Sequence, residues 1–301
     1  MTTEAKKYLD PKIINKISQL NLKARHIVEG FLAGMHKSPY KGFSVEFAQH
    51  REYTPGDDLK HLDWKVYARS DRSYIKEYEL ETNLRSHIFL DASESMLYGS
   101  KEGMTKLDFA SYVAASLAYL VINQQDAVSL AVFDREVRKF VPPGSSRSQL
   151  MPVLESLASA TAEKKSDIGA VFNYFAERLK YKGLVIIISD LFDNVDNILA
   201  GLQHFRHKRH DVILFHILDE YETRFPFENM TLFEGLEEYP ELLCDPHALR
   251  KAYLEEVDGF IAQLKAGCLK IHVDYEQLTT NQKQDVALSR YLVTRLKITK
   301  S

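Results

Sequence analysis

Short apolar runs of strand length, each followed by a helical pattern, constrain this chain more than any other feature. The runs Ile88-Phe89-Leu90, Ala127–Phe133, Leu184–Ser189 and Val212–Leu218 are almost continuously hydrophobic. A strand with one face in water alternates polar and apolar residues, so continuous runs imply a sheet covered on both faces, as in parallel sheets between helical layers. Helical spacing alternates with the strands at Lys106–Asn123, Ser148–Ala158, Ile168–Lys180, Ile198–Arg206, Pro246–Lys265 and Gln282–Leu296, and a last strand is predicted at Leu269–Val273. The expected architecture for residues 86–301 is therefore α/β, doubly wound around a mostly parallel sheet. Val137–Val141 follows Phe133 after only Asp134-Arg135-Glu136, too short for a helical crossover. It is predicted to be an antiparallel edge strand.

The first 85 residues have a different character and are predicted to form a separate N-terminal part. Ile13, Ile14, Ile17, Leu20 and Leu22 recur near helical spacing between Asp10 and Gly34. From 37 to 85 the chain is rich in Tyr, Arg, Asp and Gly, with alternating runs at Phe43–Phe47 and Tyr74–Leu80. This reads as a small β-rich subdomain.

Bulk properties narrow the partners. Lys and Arg total 39 against 42 Asp and Glu, a formal charge of −3, which excludes a strongly basic nucleic-acid binder on charge alone. The N-terminal MTTEAKKYLDPKII lacks the apolar core of a secretory signal, and the apolar stretch Val113–Ile122 is shorter than the ~20 residues a membrane helix needs. No membrane span is expected. With two cysteines outside any paired motif, the expected location is a reducing one, the cytoplasm.

Nucleotide chemistry has no support, because neither Gly-x-Gly-x-x-Gly nor Gly-x-x-x-x-Gly-Lys-Ser/Thr occurs. His-Glu-x-x-His and Gly-x-Ser-x-Gly are also missing. His204, His207 and His210 recur at helical spacing, but Arg206, Lys208 and Arg209 between them repel a cation. An exposed basic helix end is the expected reading.

The chemistry-bearing constellation is Ile88-Phe89-Leu90-Asp91-Ala92-Ser93-Glu94-Ser95, a strand running directly into Asp-x-Ser-x-Ser. Ligands of open α/β sheets bind at the carboxyl ends of strands. One carboxylate and two hydroxyls on alternate residues of a tight turn can converge on one point, and hard oxygens of this kind suit Mg²⁺, Mn²⁺ or Ca²⁺. Asp190 follows a second buried strand, and Ser166 precedes a helix as either an oxygen ligand or an N-cap. The competing interpretation of a strand-end Asp is a turn or helix cap.

Asp91, Ser93, Ser95, Ser166 and Asp190 together resemble the metal-ion-dependent adhesion site of von Willebrand factor A domains, with Ser166 where that pattern usually has Thr. The resemblance implies a von Willebrand A-like, Rossmann-like fold, a divalent cation with Mg²⁺ foremost, and a partner carboxylate completing its coordination. Ahead of the sheet, Arg51-Glu52-Tyr53-Thr54-Pro55-Gly56-Asp57-Asp58, His61-Leu62-Asp63-Trp64, Ala68-Arg69 and Tyr78-Glu79 look like bacterial domain-of-unknown-function family 58. That likeness runs from about Phe43 to the closing Tyr291-Leu292 and Arg295. It implies a MoxR-type AAA+ ATPase as partner and a role in assembling or activating a client protein.

Pro55-Gly56-Asp57-Asp58 reads as a turn. Trp64, with Tyr53 and Tyr67, is expected to serve as a hydrophobic anchor beside the sheet domain. Arg51, Asp57, Asp58, Asp63 and Arg69 are either an internal ion-pair network or a recognition surface. The favoured function is a non-enzymatic, metal-dependent interaction module. The alternatives are a Mg²⁺-dependent hydrolase using Asp91 and Asp190, and a metal-free structural adaptor.

Overall fold

The computed structural model describes residues 45–54, 63–70, 73–80, 85–100, 104–162, 167–233 and 241–282. The helices expected between Asp10 and Gly34, the turn at Gly56, Asp57 and Asp58, and the expected closing helix beyond Gln282 lie outside these residues. The described residues fall into two compact units, a smaller one over 45–80 and a larger one from 85 onward.

In the smaller unit, strands β1 (Val45–Glu52) and β2 (Tyr74–Leu80) pair antiparallel, with the register slipping between Phe47 and Gln49. Between them lies helix α1 (Trp64–Ser70), which hydropathy did not mark. Asp63 caps it: its carboxylate accepts from the Val66 amide at 3.2 Å, and its own amide donates to the Tyr74 carbonyl at 2.8 Å. This is the cap geometry that satisfies an otherwise orphaned helix amide. Trp64 is 60 % and Tyr67 40 % exposed, and the two rings meet edge to face at 6.2 Å along one helix face.

The larger unit carries a six-stranded sheet. Its strands are β3 (Arg85–Asp91), β4 (Ala127–Phe133), β5 (Val137–Gly144), β6 (Leu184–Ser189), β7 (Asp211–Leu218) and β10 (Asp274–Thr279), ordered β10-β7-β6-β3-β4-β5. All neighbours are parallel except β4 and β5, whose antiparallel pairing at the edge matches the short link between them. Every residue of β6 and β7 is buried, which is why these runs carry no polar alternation. The unit is a doubly wound α/β sheet, parallel but for one antiparallel edge strand.

Helices cover both faces. Helix α2 (Lys106–Asn123) packs on β3, β4, β6 and β7, and α3 (Leu150–Ala158) lies beside it. The opposite face is covered by α4 (Ile168–Arg178), α5 (Val195–His207) and α7 (Pro246–Lys270), whose apolar stripes bury Phe172, Phe175, Ile198, Leu202, Phe205 and Leu264 against Phe89, Val185, Ile187 and Leu214. Phe205 sits at the centre, its ring 5.8 Å from those of both Phe89 and Phe172. The connection after β7 holds the short helix α6 (Glu220–Arg224) and a small antiparallel pair, β8 (Thr231–Phe233) and β9 (Leu242–Cys244).

The final strand differs from the sequence expectation. Leu269 to Val273 is not a strand: α7 continues to Lys270, Leu269 is 77 % exposed, and the chain reverses at His272 with φ 55°. The alternation of Leu269, Ile271 and Val273 imitates a strand, but the stripe that packs is helical, Leu264, Cys268 and Ile271. The true edge strand, Asp-Tyr-Glu-Gln-Leu-Thr, is polar and only partly buried, so hydropathy passes over it. The histidine cluster separates for a similar reason. His204 and His207 lie on α5, where His204 pairs with Glu177, whereas His210 lies beyond the helix end and is buried.

Truncating the central aromatic tests this packing. Phe205→Ala is expected to lower unfolding stability by about 3–5 kcal/mol in urea titrations.

Candidate functional site

Chain order and sheet order together select one end of the sheet. From β3 the chain builds outward through β4 and β5, then returns to the other side of β3 to lay down β6, β7 and β10. The reversal falls between β3 and β6, and the crevice at such a switch point, at the strands' carboxyl ends, is where open α/β sheets bind ligands. Asp91 ends β3 and Asp190 follows β6, so the two expected carboxylates flank that crevice.

The Asp91 loop leaves the strand as a tight turn. The Ala92 amide still donates to Phe133 in the neighbouring strand at 2.7 Å, after which residues Glu94–Leu97 form a single 3₁₀ turn. One Asp91 carboxylate oxygen accepts from the Ser93 amide at 2.8 Å; the other accepts from the Ser189 hydroxyl at 2.5 Å. The hydroxyls of Ser93 and Ser95 lie 3.0 Å apart, and all three side chains are buried. Burial, reinforced by the neighbouring Asp190, pushes the Asp91 carboxyl up to about 7. The hydrogen bonds from Ser189 and the Ser93 amide act the other way and do not offset it.

Asp190 has a different partner. Its carboxylate accepts from the Lys106 ammonium at 2.7 Å, and the same ammonium donates to Glu222 at 2.6 Å. Lys106 is fully buried, and the Phe192 ring lies 4.7 Å from its nitrogen. Burial on its own would lower the lysine pKa, but Asp190 and Glu222 more than reverse this, so the ammonium is held charged. Past Asp190, Leu191 adopts φ 58°, a left-handed conformation costly for a residue with a Cβ, and its amide donates to the Ser189 hydroxyl at 2.9 Å.

The network continues along the rim. Asp219 follows β7 and caps α6, accepting from the Tyr221 amide, while Glu222 reaches back to the Asp219 amide at 2.6 Å in a reciprocal capping box. Asp219 also accepts from the Thr280 hydroxyl at 2.6 Å, just beyond β10, and from the Ser100 amide at 3.3 Å. Below it, His216 bridges the Asp190 carbonyl through Nε2 at 2.9 Å and the Tyr275 hydroxyl through Nδ1 at 2.6 Å. A carbonyl only accepts, so Nε2 carries the hydrogen and Nδ1 accepts from the tyrosine. Burial lowers His216 to about 4, in keeping with this neutral tautomer.

A sequence profile described as "Protein of unknown function DUF58" matches residues 49–259. The chain belongs to the DUF58 family. An uncharacterized protein of Mycobacterium tuberculosis, Rv1480, is 24 % identical over 220 residues, covering 72 % of this chain and 68 % of its own. Among solved structures, BatB from Bacteroides thetaiotaomicron aligns with a TM-score of 0.48 at 16 % identity, covering 71 % of this chain and 99 % of that one. The SpRpn10 VWA domain aligns with a TM-score of 0.41 at 9 % identity, covering 69 % and 94 %. The fold of this DUF58 protein is accordingly read from its own strand order.

The expected site residues thus fall into groups. Asp91, Ser93 and Ser95 converge, and Asp190 stands beside them bound to Lys106. Ser166 lies outside the described residues; the N-cap role open to it is filled by Asp167, which accepts from the Ala170 amide at 3.0 Å. Of the charged segment before the sheet, Asp63 is a helix cap and Arg69 is exposed on α1, while Tyr53 is half-buried, its amide donating to Ser73 at 2.9 Å. Arg51 lies on β1 opposite Ile75. Gly56, Asp57 and Asp58 lie outside the described residues.

Sequence reasoning missed Lys106, Ser189, His216, Asp219, Glu222 and Thr280. Two signals were present. Asp219 follows an apolar strand just as Asp91 and Asp190 do. Lys106 opens an otherwise apolar helix at its amino end, where the helix dipole disfavours a cation. A lysine there needs carboxylates to hold it.

His216 yields a pH test. Its folded value, about 4, lies below the ordinary 6.5, so the unfolded chain takes up the proton first as pH falls. The stability it contributes is present above pH 6.5 and is lost as pH drops toward 4. The advantage of wild type over His216→Gln in urea titrations is expected to shrink across that window.

Proposed function

We propose that this DUF58 protein is a non-enzymatic protein-interaction module whose contact point is the Asp91 rim, working with a divalent cation. The observation that carries the reading is Asp91 itself: a buried carboxylate whose hydrogen-bond donors are a neutral amide and a neutral hydroxyl, beside two converging serine hydroxyls. Such a group favours an added positive charge. The oxygen set fits a hard cation, Mg²⁺ foremost and Mn²⁺ or Ca²⁺ as alternatives. Asp91, Ser93 and Ser95 would hold it. When bound, the cation supplies a position for a carboxylate from a partner. Among the described residues no three His, Cys, Asp or Glu side chains form a metal-holding group, so hydroxyls and a partner's oxygen carry much of the coordination in this reading.

A hydrolase built on Asp91 and Asp190 is the weaker reading, because Asp190 is engaged by Lys106. In keeping with the family resemblance, the partners are a MoxR-type AAA+ ATPase and a client protein, with this chain as the adaptor between them in the cytoplasm. Among the described residues no helix is long and apolar enough to cross a membrane.

Thermal unfolding in chelator, Mg²⁺, Mn²⁺ and Ca²⁺ tests the cation. A metal at 100 times its Kd is expected to stabilise wild type by ~2.7 kcal/mol, and Asp91→Ala is expected not to respond. In capture assays with the purified ATPase, Asp91→Ala is expected to lose binding while retaining its circular dichroism spectrum; undiminished capture counts against the rim as the contact point.

A further inference from the structure

Lys106 stands where a second metal-binding carboxylate would otherwise be free. Asp91 and Asp190 flank the switch-point crevice, Glu222 is joined to Asp190 through Lys106, and the sole buried cation bonded to any of the three among the described residues is the Lys106 ammonium, 2.7 Å from Asp190 and 2.6 Å from Glu222. Its backbone amide is also fixed, donating to the Tyr98 carbonyl at 2.9 Å, and Thr105 caps the helix that carries it. The ammonium is thus delivered by the first turn of α2 rather than by a flexible surface chain.

We infer that Lys106 is a tethered counter-ion that withholds Asp190 and Glu222 from a divalent cation, so that the rim's metal affinity is set by this lysine. The inference deepens the cation reading above and rests on the same rim. An ammonium and a divalent cation in one crevice repel each other, and they compete for the same carboxylate oxygens. The lysine occupies an oxygen of both Asp190 and Glu222 and offsets one of their two charges, leaving Asp91, Ser93 and Ser95 as the half open to a cation. The site so formed is weakly charged and relies on a partner's carboxylate to bind metal tightly.

The test removes the charge and keeps the length. Isothermal calorimetry with MnCl₂ is run on wild type, Lys106→Met, Glu222→Gln and the double variant Lys106→Met/Glu222→Gln. Lys106→Met is expected to bind Mn²⁺ at least about tenfold more tightly than wild type, equal to 1.4 kcal/mol, and to have a melting temperature that rises more steeply with Mn²⁺. Glu222→Gln, which keeps Lys106 on Asp190, is expected to show no such gain. If Lys106→Met does not fold, the double variant carries one buried carboxylate fewer and decides the matter: tighter Mn²⁺ binding than wild type supports the inference. Affinity equal to or below that of wild type in whichever Lys106→Met variant folds, single or double, overturns it. Wild type that binds no Mn²⁺ beside a Lys106→Met that does would leave the role of Lys106 standing and count against a cation held by the chain without its partner. Wild-type binding that the lysine substitution leaves unchanged would do the reverse.

Discussion

One buried ammonium holds the carboxyl end of this sheet together. Lys106 joins the first turn of α2 to the end of β6 through Asp190 and to α6 through Glu222, and Glu222 in turn closes the cap on Asp219. Isolated buried charges are very costly, and removing one partner of a buried ion pair typically costs about 3–5 kcal/mol, because the other is left without compensation. The arrangement is therefore better understood as specification than as added stability. It fixes which loop lies against which, and through them where Asp91 meets Ser189.

The same rim contrasts two ways of burying a carboxylate. Asp190 and Glu222 share a cation within the chain, although burial still raises the Glu222 carboxyl, whereas Asp91 accepts only from neutral donors and is pushed toward its protonated form. Asp219 takes a third course, satisfied by an amide cap and the Thr280 hydroxyl. Three strand-end aspartates with similar sequence surroundings thus acquire different electrostatic characters. The difference comes from what each neighbouring loop brings to it, and the loops are distant in sequence.

That explains how much could be read beforehand. Continuous apolar runs made the sheet and its covered faces legible, and the three-residue link after Phe133 made the antiparallel edge legible. Asp91, Ser93 and Ser95 were legible because their spacing is local. The partnership of Lys106 with Asp190 spans 84 positions, and nothing within a sequence window announces it. The misplacement of the last strand has the opposite cause: local alternation at Leu269 to Val273 was present but outweighed by burial of the helical stripe at Leu264 and Cys268. Trp64 shows the limit of residue type as a guide, since a lone tryptophan reads as core and here lies on an exposed helix face.

The rim also has an order of completion. Its oxygens and its ammonium enter the growing chain well before Thr280, whose hydroxyl bonds to Asp219 and which follows the last strand of the sheet. Protein synthesis proceeds from the amino end, and chains begin to organise as they emerge. A nascent chain ending after β7 already holds Asp91, Lys106, Asp190 and Asp219 but lacks the edge strand beside them. The rim is consequently completed only once β10 has been made, and a chain truncated before residue 274 would display the Asp-x-Ser-x-Ser sequence without the edge strand and the Thr280 bond to Asp219.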